Sequence, residues 1–257
     1  MKFKNKVAVV TGASRGIGQA ICVAFAREGA KVVGVARSDL AETESKVKSA
    51  GGEFIALNVD LSKGTQRESA GLISQILQHT GRIDALVNNA GIIRRAPAKD
   101  FSEADWNEVL ATNLSAPFFL SQAVGKWWIE TGRAQSPKNC RLKIVNIASL
   151  LSFQGGILVP AYTASKHGIA GVTKALANEW AKERINVNAI APGYIATENT
   201  KALREDAERN QAILSRIPEN RWGNPEDIAG GCVFLASADS DYLNGAVLNI
   251  DGGWLGR

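Results

Sequence analysis

A chain of 257 residues has room for one α/β domain, and its 25 glycines suit a fold with many tight turns. The net charge of +5 comes from scattered basic residues that do not alternate with aromatics, which argues against a nucleic-acid partner and leaves a mild steering of anions. Three distant cysteines, Cys22, Cys140 and Cys232, offer neither a disulfide framework nor a metal spacing, so a reducing cytoplasm and no bound metal are expected.

Met1 to Lys6 is basic, and the apolar run behind it is too short for the core of a signal peptide. Lys6 to Val10 reads instead as a buried β-branched strand. Thr11-Gly12-Ala13-Ser14-Arg15-Gly16-Ile17-Gly18 follows at once, and a helical pattern runs on to Arg27. In such a turn Gly12 permits the bend, Gly16 lets backbone approach a pyrophosphate, and Gly18 allows close helix–strand packing. Ser14, Arg15 and Ile17 complete the candidate phosphate loop, with the helix N-terminus facing the anion. Lys31 to Ala36 is the second strand. An acidic residue at its end would hold ribose hydroxyls and select NAD. Here the end is Val35-Ala36-Arg37-Ser38-Asp39. Arg37 and Arg15 suit the 2′-phosphate of NADP, whereas Asp39 speaks for NAD.

Asp39 to Ala50 reads as a helix closed by Gly51-Gly52, and Glu53 to Asn58 as the third strand. Asp60, just beyond that strand, is a candidate for the adenine edge. Thr65 to Thr80 is an amphipathic helix ended by Gly81. Ile83 to Val87 is the fourth strand and runs into Asn88-Asn89-Ala90-Gly91, small residues that suit backbone lying against a cofactor. Ser102 caps a long helical pattern from Ala104 to Thr131. Asn113 lies inside it near Pro117, so either a kink with freed backbone groups or a surface amide is expected there. Trp127 and Trp128 suit packing or a subunit contact, and Thr131 to Cys140 reads as an exposed loop.

The apolar run from Ile144 reads as the next strand, Ser152 to Gly156 as a loop, and Pro160 as the start of a helix reaching about Glu183. The uncharged stretch Ile144 to Ser165 is long enough for a membrane, but its polar residues and glycine pair argue against one. Tyr162 and Lys166 are one helical turn apart and share a face. Ser149 stands at the strand end, where open α/β sheets place ligands. A phenol is a poor acid or base at neutral pH, and a nearby ammonium favours its ionised form. These three side chains can therefore exchange a proton with a carbonyl or alcohol oxygen. Asn186 to Ile190, Pro192-Gly193, a polar helical piece from Asn199 to Arg216, a helix through Leu235 and a last strand from Ala246 to Ile250 complete the chain. Strands and helices alternate throughout, so a doubly wound parallel sheet in a single α/β domain of the Rossmann type is expected.

Taken together, these motifs resemble the short-chain dehydrogenase/reductases over essentially the whole length. The glycine turn, Asp60 and Asn88-Asn89-Ala90-Gly91 match the family's cofactor motifs, and Pro192-Gly193 with Thr197 its nicotinamide-side segment. Asn113, Ser149, Tyr162 and Lys166 match its catalytic tetrad. The resemblance implies hydride transfer with NAD or NADP, with Tyr162 as acid or base and Ser149 orienting the substrate oxygen. Lys166 would lower the pKa of Tyr162 and hold the nicotinamide ribose. Asn113 would bind a water leading from Lys166 to solvent. It also implies a homotetramer. A narrower resemblance, to the 2-dehydro-3-deoxy-D-gluconate 5-dehydrogenase group, rests on Arg94-Arg95, Leu151 to Gly156, Asn178 to Lys182, Arg216 to Pro218, Arg221 to Gly223 and Asp251 to Leu255. It implies a small sugar-acid substrate. Arg94 or Arg95 would then pair with the carboxylate, Gln154 would meet a hydroxyl, and Thr197 to Trp222 would close over the substrate. Reduction of 3-oxoacyl carrier protein and oxidation of gluconate at carbon 5 are the alternatives within the same chemistry. A catalytically inactive dinucleotide sensor is the alternative outside it.

Overall fold

The computed structural model describes residues 1–132 and 140–256. Seven strands form one sheet: β1 (Val7–Thr11), β2 (Lys31–Ala36), β3 (Glu53–Asn58), β4 (Ala85–Asn88), β5 (Leu142–Ile147), β6 (Ile185–Pro192) and β7 (Val247–Ile250). Their order is β3-β2-β1-β4-β5-β6-β7, and every pairing is parallel. Chain order reverses between β1 and β4. In such sheets the ligand crevice opens at that point, beyond the carboxyl ends of the strands.

Helices cover both faces. α1 (Gly16–Arg27), α2 (Ala41–Ser49) and α9 (Pro225–Ala236) lie on one side. α3 (Gln66–Thr80), α5 (Ala116–Trp127) and α6 (Pro160–Trp180) lie on the other. Alternation along β1 sends Ala8 and Val10 into the first core and Val7 and Val9 into the second. β5 divides likewise, with Val145 and Ile147 on one side and Leu142 and Ile144 on the other. A strand buried on both faces reads as an unbroken apolar run. Each buried valine, leucine or isoleucine among them contributes roughly 1.5–3 kcal/mol by leaving water. The short helices α7 (Lys201–Glu205) and α8 (Ala207–Leu214) stand apart from both cores, over the carboxyl end of the sheet.

The strand and helix order matches the sequence reading, with shifts at boundaries. The fourth strand begins later than expected, because buried Asp84 turns its carboxylate inward to accept the Val7 N–H at 2.8 Å and pair with Arg82. The sixth strand is longer, because Ile185 pairs with Leu142 of β5 and Ala191 and Pro192 pair with β7. The long helical pattern after Ser102 is α4 (Glu103–Leu110), a wide π turn at Ala111–Ser115, α5, and a second wide turn at Trp128–Gly132. The irregularity expected beside Asn113 is thus a π turn that contains it. Trp128 is a packing residue, buried with its indole N–H donating to the Glu183 carbonyl at 3.0 Å. Of the loop expected between Thr131 and Cys140, residues 133–139 lie outside the described part.

Candidate active site

The turn after β1 is built by close approach. Gly12 and Gly16 have φ of +65° and +56°, a region open to glycine and costly for other residues. A Cβ on Gly12 would lie 2.8 Å from the Ala90 Cα. One on Gly18 would overlap the Gly12 carbonyl oxygen and stand 2.6 Å from the Asn89 amide nitrogen. Gly16 differs, for its Cβ would meet nothing nearer than Thr197 Cγ2 at 3.5 Å. Its outer side is therefore backbone open to the crevice. Asn89 joins this turn to the end of β4, its Nδ2 donating to the carbonyls of Thr11 at 2.9 Å and Gly12 at 3.2 Å. The Thr11 hydroxyl accepts the backbone N–H groups of Asn89 and Ala90, both at 3.0 Å. No side chain caps α1 and its first turn holds no acid, unlike α3 and α4, which Thr65 and Ser102 cap. The free N–H groups of that first turn suit a phosphate.

The second cluster joins β5 to α6. Ser149 follows β5 and its Oγ accepts the Leu151 N–H at 3.2 Å, which aims the residue across the strand end. Pro160 opens α6, so Tyr162 sits in its first turn and Lys166 one turn deeper. The Lys166 Nζ is buried, lies 5.4 Å from the centre of the Tyr162 ring and donates to the Ile147 carbonyl at 2.6 Å. Burial pushes the lysine down to about 8. Burial also pushes the Tyr162 phenol above its ordinary value, while the Ser149 hydrogen bond and the Arg95 charge act downward. Ser149 and Arg95 thus favour the ionised phenol.

A cavity of about 750 Å³ joins the two clusters. Its lining takes in every cofactor residue expected from the sequence: Gly12, Ser14, Arg15, Gly16, Ile17, Gly18, Arg37, Asp60, Asn89, Ala90, Gly91, Pro192, Gly193 and Thr197, with Tyr162 and Lys166. Ser149 and Arg94 also line it. The glycine turn, the uncapped helix and the open backbone at Gly16 suit a dinucleotide. Asp39 does not line the cavity, and its Oδ1 accepts the Ala41 N–H at 3.1 Å at the start of α2.

The remaining expected residues are placed differently from one another. Gln154 is turned away from the cavity, with its Oε1 facing the Trp254 indole N–H at 3.5 Å. Arg94 is already neutralised, donating to Glu108 at 2.7 Å and lying 3.3 Å from Asp105. Arg95 makes no ion pair with any described residue, and its Nη2 donates to the Asn199 carbonyl at 3.4 Å. The Asn113 side chain does not line the cavity either. Its Oδ1 accepts the Ile92 N–H at 2.9 Å, and its Nδ2 donates to the Ile92 carbonyl at 2.9 Å and to the Ser165 Oγ at 3.2 Å. Ser165 donates in turn to the Tyr162 carbonyl at 2.7 Å. Asn113 therefore ties the loop after β4 to the first turn of α6. The sequence reading missed Arg204, on the short helix α7, which also lines the cavity. Only its positive charge could have signalled it. Among the described residues no cluster of metal-ligating side chains occurs, and no helix is long and apolar enough to cross a membrane.

Residues 6–208 match the family model described as short chain dehydrogenase. The chain is 52% identical to 2-dehydro-3-deoxy-D-gluconate 5-dehydrogenase of Bacillus subtilis (strain 168) over 257 residues, covering 99% of this chain and 96% of that protein. It is 49% identical to the enzyme of the same name from Dickeya dadantii (strain 3937) over 255 residues, 99% and 97% of the two chains. A crystal structure from Agrobacterium tumefaciens, provisionally assigned as a 2-deoxy-D-gluconate 3-dehydrogenase with bound NADP, superposes with a TM-score of 0.90. It is 54% identical and the match covers 99% of this chain and 98% of that one.

Proposed function

The chain belongs to the short chain dehydrogenase family and is an NAD(P)-dependent oxidoreductase acting on a carbinol or carbonyl, and on that footing we propose that its substrate is a keto-deoxy sugar acid. The single observation that carries the substrate is the near-full-length identity of about half to enzymes named for such an acid. The reading treats the whole chain as one catalytic domain.

The dinucleotide, when bound, supplies or accepts the hydride at its nicotinamide. Tyr162 gives a proton to the carbonyl oxygen, or takes one from the carbinol, through a phenol reached from the cavity. Ser149 donates to the same oxygen and fixes its direction. Lys166 keeps a buried ammonium beside the ring, held by the Ile147 carbonyl. Asn113 keeps the first turn of α6 in place through Ser165. Of the two arginines expected to meet the carboxylate, Arg94 lines the cavity but is held by Glu108 and Asp105, and Arg95, outside the lining, has no acidic partner among the described residues and is the freer to pair with a carboxylate. NADP is the preferred dinucleotide. Arg15 and Arg37 line the cavity without an ion pair to any described residue, and Asp39 is engaged at the start of α2. The NADP of the Agrobacterium tumefaciens structure supports this. The reading includes a homotetramer, with the partly exposed Trp127 and exposed Ile129 on a contact helix, and a cytoplasmic setting in keeping with three free cysteines.

An absorbance assay at the nicotinamide band tests it, with NADP+ and NAD+ each paired against a panel of keto-deoxy sugar acids, and the reduced dinucleotides against the corresponding 5-keto acids. Oxidation of 2-dehydro-3-deoxy acids, faster with NADP+ than with NAD+, is expected. Arg37→Ala should remove the NADPH preference, and Arg95→Ala should raise KM for the acid more than Arg94→Ala does. Turnover confined to acyl thioesters, or none at all, overturns the substrate.

A further inference from the structure

We propose that Arg204 is a ligand-binding residue that receives an oxyanion of the bound reactants in the cavity. The inference rests on the functional reading above. The arginines around this cavity differ in what they already hold. Arg94 is neutralised by Glu108 and Asp105. Arg15 and Arg37 lie with the turn after β1 and the end of β2. Arg204 is partly buried on α7, lines the cavity and makes no ion pair with any described residue. Its Nη2 donates to the Thr197 carbonyl at 3.1 Å, while its Nε is buried with no hydrogen-bond partner.

A buried N–H without a partner costs about 1–3 kcal/mol, more for a charged group, so such an atom calls for an explanation. An unpartnered N–H on a cavity-lining cation with no acid of its own among the described residues is that of a guanidinium waiting for an anion. A planar fork of this kind matches phosphate and carboxylate alike. Its location allows either. Thr197, which it holds, is also the residue nearest the open side of Gly16, where a pyrophosphate approaches the turn. Yet α7 belongs to the segment over the substrate end. The shared chemistry is an oxyanion, and the two sources separate by experiment.

Arg204→Ala and Arg204→Lys are each compared with the wild type in two binding measurements and one melting curve. The first measures NADPH by its fluorescence, against displacement of it by adenosine 2′-monophosphate, which lacks both phosphates of the pyrophosphate. The second measures KM for 2-dehydro-3-deoxy-D-gluconate against its neutral methyl ester. If the pyrophosphate is the partner, Arg204→Ala weakens NADPH by at least about tenfold and leaves adenosine 2′-monophosphate unchanged. If the carboxylate is the partner, the preference for acid over ester falls by a similar factor and NADPH is unchanged. Arg204→Lys should lie between wild type and alanine in whichever arm responds. A merely structural arginine would weaken all ligands together and lower the melting temperature. That outcome overturns the proposal, as does an unchanged pair of ratios. Failure of the functional reading would appear in the wild type itself, failure of this inference only in the variants.

Discussion

The two ends of the cavity are built on different terms. At the cofactor end, backbone is locked to backbone. Thr11 and Asn89 spend their polar atoms on β1 and β4, and Gly12 and Gly18 leave no room for a methyl group. At the substrate end, a turn is held by arginines. Arg95 and Arg204 donate to the carbonyls of Asn199 and Thr197, and the helices above rest on a small cluster of Leu150, Ile213, Ile217 and Trp254. The first end is set before any ligand arrives. The second is attached to the protein by few apolar contacts, and such segments sit at the low-stability end of a fold. Fixed chemistry and adjustable selection are thus divided along one cavity.

Four measurements break or sharpen this contrast. The largest effect is expected where the two ends meet. Tyr162→Phe should lower turnover by roughly 10²–10⁴ while NADPH still binds, because only the proton donor is lost. Retained turnover would remove Tyr162 from its role. Gly18→Ala strikes the rigid end. Its Cβ would overlap the Gly12 carbonyl oxygen, so stability should fall by about 1–3 kcal/mol and NADPH binding should weaken with it. An unchanged melting curve would show that this end has slack.

The third measurement is pH-dependent. The folded Lys166 loses its proton near 8, while an unfolded lysine keeps it to about 10.5. Raising the pH across that window relieves a buried charge only in the folded state. The wild type should therefore gain stability relative to Lys166→Met, by at most about 1.4 kcal/mol per pH unit. The phenol of Tyr162 is shifted up, so its own contribution is present below 10 and lost only above it. Melting curves from pH 8 to 10 suffice, and a flat difference would refute the buried ammonium. The smallest effect belongs to the substrate end. Cleavage by a protease between Thr197 and Trp222 should slow severalfold with cofactor and sugar acid together. Equal protection of the glycine turn would erase the distinction between the two ends.

The same contrast explains what a reader of the sequence can see. The cofactor end is legible because its geometry forbids substitutes. Left-handed backbone and sub-van der Waals spacing demand glycine, and Gly12, Gly16 and Gly18 lie within one short run. Tyr162 and Lys166 are legible because one helical turn joins them. The substrate end is not, because its contacts join distant parts of the chain. Gln154 finds Trp254, and Arg94 finds Glu108 and Asp105. No local periodicity announces such pairs. Arg204 in a polar stretch reads as one more solvated charge until its Nε is seen without a partner. Asn113 was found through family resemblance, but the path from Ile92 through it to Ser165 and Tyr162 needs coordinates.

The wide turn at Ala111–Ser115 has a consequence for how this chain tolerates length changes. Thr112, Ala116, Leu120, Val124 and Trp128 are all buried, each four positions after the last. On a regular helix every such step would carry the inward stripe about 40° further round the rod. The surplus residue acts like a leap day, taking back part of that drift at the step from Thr112 to Ala116. A single deletion there should spin Trp128 out of its socket beside Glu183 or drag Asn113 off its clasp, while a deletion in the exposed part of α2 should disturb neither.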